Sequence, residues 1–250
     1  MASLYSVWRM AKNLPLTRAD GALDRAYDIV AVQEFLRLPS ELWLQRFVLD
    51  HDWLAWFSAN YYAVAHVPGI VIFLVWLYAR HRDAYPHWRN ALAILTVFCL
   101  FIRFVKVAPP RFLTELGYVD VSVMYGIDVY GEAGTGVSSQ FAAMPSLHVA
   151  WAAVIAFGAV AASTSWWRWI GTAHLVTTML VISATGHHWW LDGIVALALL
   201  WVALQLDTRG RRAVHTVRVI LASDAPDAVE VPNAESVDAL EPASVEGEST

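Results

Sequence analysis

Residues 147–165 read LHVAWAAVIAFGAVAASTS, nineteen positions without a Lys, Arg, Asp or Glu. As an α-helix rising 1.5 Å per residue this run reaches about 28 Å, close to the ~30 Å hydrocarbon thickness of a bilayer. It reads as a membrane span. Runs at 53–79, 91–108, 169–186 and 189–206 have the same character, although Arg103 and Lys106 burden the end of the second span and Asp192 the start of the last. The expected fold is all-α, a multi-span transmembrane helical bundle with five clear spans. Composition points the same way. Of 250 residues, 58% are hydrophobic and 16% charged, with a mean hydropathy of +0.46; soluble domains have roughly 45–50% apolar and about 25% charged residues. That excess excludes a disordered chain and disfavours a single soluble domain.

Charge placement gives an orientation. Arg80, Arg82 and Arg89 follow the first span, Arg168 separates the third and fourth, and Arg209, Arg211, Arg212 and Arg218 follow the fifth. By parity all of these fall on one face, which the positive-inside rule makes cytoplasmic. The opposite face receives 109–146 and the short connection near 184–190. Trp166, Trp167, Trp189 and Trp190 stand where spans meet headgroups. Residues 53–206 are therefore read as the transmembrane domain. Residues 1–52 carry six Lys or Arg, and within them 27–49 hold Asp28, Glu34, Arg37, Pro39, Glu41 and Arg46. These groups are too costly for a comfortable lipid-facing span, so an interfacial amphipathic helix is expected, although a sixth crossing has room only here. Residues 207–221 read as a basic juxtamembrane helix and 222–250 as a disordered acidic tail. Without the tail's eight acids the net charge of −5 becomes +3. A lone Cys99 permits no intrachain disulfide, and no secretory signal peptide is expected at the N-terminus.

Three stretches hold nearly all the unusual polar residues of the apolar region: Lys106-Val-Ala-Pro-Pro-Arg111, Ala143-Met-Pro-Ser-Leu-His148 and Gly186-His-His-Trp-Trp-Leu-Asp192. One closes a span and two open spans, so all three belong to the extracytoplasmic face. His188 and Asp192 are four apart and share a face of a helix, where the carboxylate can fix the imidazole tautomer and leave the other ring nitrogen free to attack. Pro145 suits the first turn of a helix, and Ser146 adds a hydroxyl beside unpaired N–H groups that favour an anion. Arg111 offers a permanently charged fork for phosphate oxygens.

Blander readings exist for several of these groups. His66 and His174 read as packing residues, Arg103 and Lys106 are equally read as snorkelling side chains, and His187 as a neighbour facing elsewhere. Asp128 and Glu132, in the glycine-bearing connection 112–144, read as solvated loop charges rather than headgroup ligands. A metal site of His148, His188 and Asp192 ranks behind an anion site, because the arginine and the helix N-termini suit an anion.

These motifs resemble the type 2 phosphatidic-acid phosphatase superfamily, and within it the branch of inositol phosphorylceramide synthases and related bacterial proteins. Residues 143–148 are similar to its Pro-Ser-x-His motif, His188 to Asp192 to its His-x-x-x-Asp, and Ala108-Pro-Pro-Arg111 to the branch's Pro-Pro-Arg element. The likeness covers about 53–206. It implies a helical bundle with His188 as nucleophile, Asp192 as its orienting carboxylate, His148 as the acid that protonates the leaving alkoxide, and Arg111 with Ser146 as phosphate ligands. Val181 and Ile182 stand where the phosphatase branch has a Ser-Arg pair, so Arg111 or Lys106 must carry more of the charge.

The expected activity is lipid-phosphate phosphatase or phosphotransferase chemistry through a phosphohistidine, including transfer of an inositol-phosphate-type headgroup to a lipid alcohol. The substrate is a phospholipid or polyprenyl phosphate in the cell membrane, with the C-terminus cytoplasmic. No metal, cofactor or nucleic-acid partner is expected. The alternative is a non-enzymatic lipid-phosphate binder or transporter, which would leave the phosphate bond intact.

Overall fold

Proline and polar caps divide the chain into helices. The computed structural model describes residues 21–127 and 140–223. Among these it contains α1 (Ala22–Phe35), α2 (Glu41–Leu49), α3 (Asp52–Val64), α4 (His66–Arg80), α5 (Tyr85–Ile102), α6 (Val121–Met124), α7 (Leu147–Ala162), α8 (Arg168–Ala184) and α9 (Trp190–Ser223). No strand occurs among the described residues; Val107 and Ala142 form an isolated parallel bridge. The all-helical class is as the sequence implies.

The run expected as one span at 53–79 is two helices bent by 56° across Ala65. Pro68 explains the break, since it has no N–H for the carbonyl of Val64 and its ring clashes there. The N-terminal segment likewise forms two helices instead of one, with Ser40 capping α2 by accepting from the Trp43 N–H at 3.4 Å. α5 ends at Ile102, so Arg103 and Lys106 lie beyond the helix rather than within a span.

Among the described helices one, Trp190–Ile220, is long and apolar enough to cross a bilayer alone. The bent pair Asp52–Val64 with His66–Arg80 passes only as a pair, and Leu147–Ala162 is apolar but shorter. Five spans are thus more than helix length and composition establish here.

The chain divides into two units, Met1–Arg209 and Gly210–Thr250. In the second, 210–223 are helical and the side chains of 210–220 are exposed. The expected acidic tail, apart from its first two positions, lies outside the described residues, as do Asp128 and Glu132. In the first unit, α7 is the central element, packed on α8 and against α4 and α5. Gly171 permits the close approach of α7 and α8, since a Cβ there would lie 3.1 Å from the Ala156 backbone. Phe73, Leu77, Trp88, Leu95, Val154 and Leu200 fill the main core. Asp207, buried on α9, accepts from Asn90 at 2.8 Å and meets His87 Nδ1 at 2.6 Å on α5.

The outer surface is apolar: Trp53 is 69% exposed, Ile72 67%, Phe101 68% and Trp201 64%. Trp189, expected among headgroups, is instead fully buried in a second cluster with Ala22, Ala26 and Tyr118.

Candidate active site

Hydrogen bonds to backbone carbonyls lace the three polar stretches together. The Val107 N–H donates to the Phe141 carbonyl at 2.7 Å, that of Arg111 to Gly186 at 2.9 Å, and the Trp189 indole to Ala108 at 3.0 Å. Gly186 makes the turn between α8 and α9 with φ +77°, and a Cβ there would lie 2.8 Å from the Val119 carbonyl. Only glycine takes that conformation without strain.

The turn also holds buried polar groups of the N-terminal helices. Gln45 donates to the carbonyls of Val119 and Ala184 at 3.0 and 3.1 Å. Glu41 accepts from the Trp190 N–H at 3.0 Å and from Gln33 at 2.8 Å, while Gln33 accepts from the Leu191 N–H at 3.0 Å. The first two N–H groups of α9 are thereby satisfied by side chains from α1 and α2. Burial pushes the Glu41 carboxyl above the usual range, with the Trp190 N–H opposing.

His188 sits just before α9, not on the helix face it was expected to share with Asp192. Asp192, in the first turn, reaches back to accept from the Trp189 N–H at 2.9 Å, as in a capping box. The pair still meets: His188 Nδ1 is 3.2 Å from Asp192 Oδ2, and closer, at 2.7 Å, to the Ala143 carbonyl. A carbonyl can only accept, so Nδ1 carries the proton and Nε2 keeps its lone pair. His148 Nδ1 lies 3.4 Å from that Nε2. A proton on that His148 atom would make the contact a hydrogen bond to the His188 lone pair.

His148 and His188 open onto a cavity of about 300 Å³, also lined by His187, His66, Tyr62 and Arg103. A larger cavity of about 810 Å³, reaching His174, contains none of the expected site residues. Chemistry, not volume, marks the smaller one. His187 stacks on Tyr62 with ring centroids 4.2 Å apart. Burial, and secondarily the charge of Arg111, pushes its imidazole well below the usual histidine range.

The remaining expected residues do not line this cavity. Ser146 is fully buried, and its hydroxyl caps α7 by accepting from the Val149 N–H at 3.4 Å. Pro145 accordingly precedes the cap instead of occupying the first turn. Arg111 is buried with Nε 3.1 Å from Asp120 Oδ2. Lys106 is buried too, and its carbonyl accepts from Arg25 at 2.5 Å. Among the described residues no group of three or more His, Cys, Asp or Glu is arranged to hold a metal ion.

Sequence reasoning set His66 aside as a packing residue, left Arg103 evenly balanced with a snorkelling side chain and did not consider Asp120. A usable signal existed for His66, which stands two positions before the proline that breaks an apolar run. Arg103 had only its nearness to the Lys106 stretch. Asp120, in a loop, gave none.

The sequence profile of the PAP2 superfamily matches residues 27–206, beginning inside α1 rather than at 53. No curated protein and no solved structure matches the chain.

Proposed function

The chain belongs to the PAP2 superfamily, and on that premise we propose that it is a membrane-embedded lipid-phosphate phosphatase or phosphotransferase working through a phosphohistidine on His188. The observation that carries this reading is the placement of the two imidazoles: His188, with Nδ1 2.7 Å from the Ala143 carbonyl, turns Nε2 toward His148 Nδ1 at 3.4 Å inside one cavity. A nucleophile beside a proton donor is what displacement at phosphorus needs.

In the first step His188 Nε2 forms a bond to phosphorus, the bond from phosphorus to the lipid oxygen breaks, and the His148 proton passes to that oxygen. In the second, water or an alcohol bonds to phosphorus, the P–N bond breaks, and the proton returns to His148. A contact of 3.4 Å leaves no space for a phosphoryl group between the rings, so substrate loading parts them. Arg103, which lines the cavity near enough to interact electrostatically with His148, stands in for the missing cation of the Ser-Arg pair. Arg111, tied to Asp120, adds its field from behind His187. Removing one preorganised donor of this kind typically costs about 3–4 kcal/mol of barrier.

The large exposed Trp, Ile and Phe side chains support burial of the outer surface in lipid. The charge parity of the arginines supports an extracytoplasmic site and a cytoplasmic C-terminus. The Pro-Pro-Arg element at 109–111 supports a branch that transfers a phospho-polyol headgroup to a lipid alcohol.

Free phosphate released from phosphatidic acid, measured with and without inositol, tests the proposal. Polyol-independent release identifies a phosphatase. Consumption of a phosphatidylinositol donor that requires a lipid alcohol acceptor identifies a transferase. Bound phospholipid with its phosphate bonds intact under every condition identifies a carrier and overturns the proposal.

A further inference from the structure

The larger of the two cavities, about 810 Å³, takes no part in the chemistry proposed above. It is lined from Ala65, Gly69 and His174 at one end to Arg80, His81 and Arg168 at the other. Between these ends the wall is apolar, formed by Ile72, Phe73, Trp76, Ile155, Ala159 and Ile170. From Gly69 to Arg80 the rise along α4 is about 16 Å, close to half of the ~30 Å hydrocarbon thickness of a bilayer. One leaflet's acyl chain occupies that depth.

The inner end is closed. His174 Nδ1 meets the Tyr61 hydroxyl at 2.5 Å, and its ring lies 5.9 Å from that of His66, which lines the smaller cavity. The other end is a rim far from the imidazole site. α4 and α7 carry His66 and His148 at their starts, and Arg80 and Ser163 lie at their far ends, about 20 Å away.

The rim is basic. The titratable residues lining the cavity are Arg80, His81, Arg168 and His174, with neither Asp nor Glu among them. Among the described residues the Arg80 guanidinium has no hydrogen-bond or ion-pair partner. Arg168 donates from Nη1 to the Ser163 carbonyl at 3.3 Å, while its Nε is buried without an acceptor. Two guanidinium groups at the edge of an apolar groove, with no carboxylate to balance them, match an anion that carries its own hydrocarbon.

We propose that this groove is a second lipid site, separate from the imidazole cavity, which takes one anionic phospholipid. Its phosphate sits on Arg80 and Arg168, and one acyl chain lies along Ile72, Phe73 and Ile155. A zwitterionic lipid has the same chains but brings a cation to a basic rim, so headgroup charge sets the selection. The inference uses the membrane burial proposed above and nothing of the phosphotransfer chemistry. A bound lipid ties α4, α7 and α8 together and stabilises the folded chain by mass action.

In the test, full-length protein purified in dodecyl maltoside and stripped of lipid is titrated with dioleoyl phosphatidylglycerol or dioleoyl phosphatidylcholine. Native mass spectrometry counts the lipid retained per chain, and a thermal melt follows stability. One phosphatidylglycerol should bind at least about tenfold more tightly than phosphatidylcholine and raise the melting temperature. Glycerol phosphate, the anion without its chains, should bind at least about a hundredfold more weakly than phosphatidylglycerol. Arg80→Gln combined with Arg168→Gln should abolish the preference for phosphatidylglycerol. The basic stretch of α9 also attracts anionic lipid, so Arg212→Gln combined with Arg218→Gln is the control and should keep the preference. Equal binding of both lipids to the wild-type protein, a preference that survives loss of Arg80 and Arg168 or is lost equally in the α9 control, or glycerol phosphate binding as tightly as the lipid overturns the site. Protein that stays soluble without detergent and floats with vesicles of neither lipid refutes instead the membrane burial on which the site depends.

Discussion

His188 donates from Nδ1 to the carbonyl of Ala143 at 2.7 Å, a shorter contact than the 3.2 Å separating the same atom from Asp192. The His188 imidazole is thus oriented by main chain as well as by carboxylate, and the two supports fail separately.

Asp192→Asn should accordingly slow turnover by less than the roughly 10⁴-fold loss seen when a triad carboxylate is the sole orienter of its histidine. The Ala143 carbonyl still holds the proton on Nδ1 and keeps the reactive tautomer. Steady-state kcat in purified protein measures this; a loss of 10⁴-fold or more would show that Asp192 alone sets the tautomer.

Gly186→Ala should be destabilising by more than about 1 kcal/mol, since its φ of +77° is unfavourable for a residue with a Cβ and the new methyl would press on the Val119 carbonyl at 2.8 Å. Because Arg111 and Gln45 lie beside the turn, activity should fall with stability. A thermal melt that matches wild type contradicts the tight fit.

Glu41 ties stability to pH in a direction set by its burial. Its carboxyl is held above the usual range, so its contribution is full at pH values below the unfolded carboxyl's titration and declines as pH rises through the raised folded value. Glu41→Gln keeps an oxygen for the Trp190 N–H and should remove this decline, leaving the variant at least as stable as wild type at neutral pH. Glu41→Leu strands the Trp190 N–H and should cost about 1–3 kcal/mol. Melting temperatures across pH 4 to 8 separate the three proteins; a Glu41→Gln curve parallel to wild type refutes the assignment.

The helical class and the clustering of three distant stretches were legible because apolar run length and the parity of Arg80, Arg168 and Arg209 are local signals. The contact between His188 and Asp192 was legible from a four-residue spacing, although its geometry comes from a capping turn and not from a shared helix face. What stayed hidden depends on tertiary placement. Ser146 could be seen as a hydroxyl near a helix start, but whether it faces substrate or caps α7 is decided by the backbone entering at Pro145. Arg111 could be seen as a free cation only while Asp120, nine residues on in an irregular loop, had no place. The burial of Gln33, Glu41 and Gln45 against the 184–192 turn was equally invisible, because polar residues on an amphipathic pattern read as a wetted face.

The central claim, a covalent phosphoryl bond to His188, is tested most directly by incubating purified protein with phosphorus-labelled phosphatidic acid and quenching within the first turnover. The account predicts protein-bound label that is stable to base, lost in mild acid and absent from His188→Ala protein whose melting curve shows it folded. Turnover without any such label, or label of equal amount on His188→Ala, contradicts it.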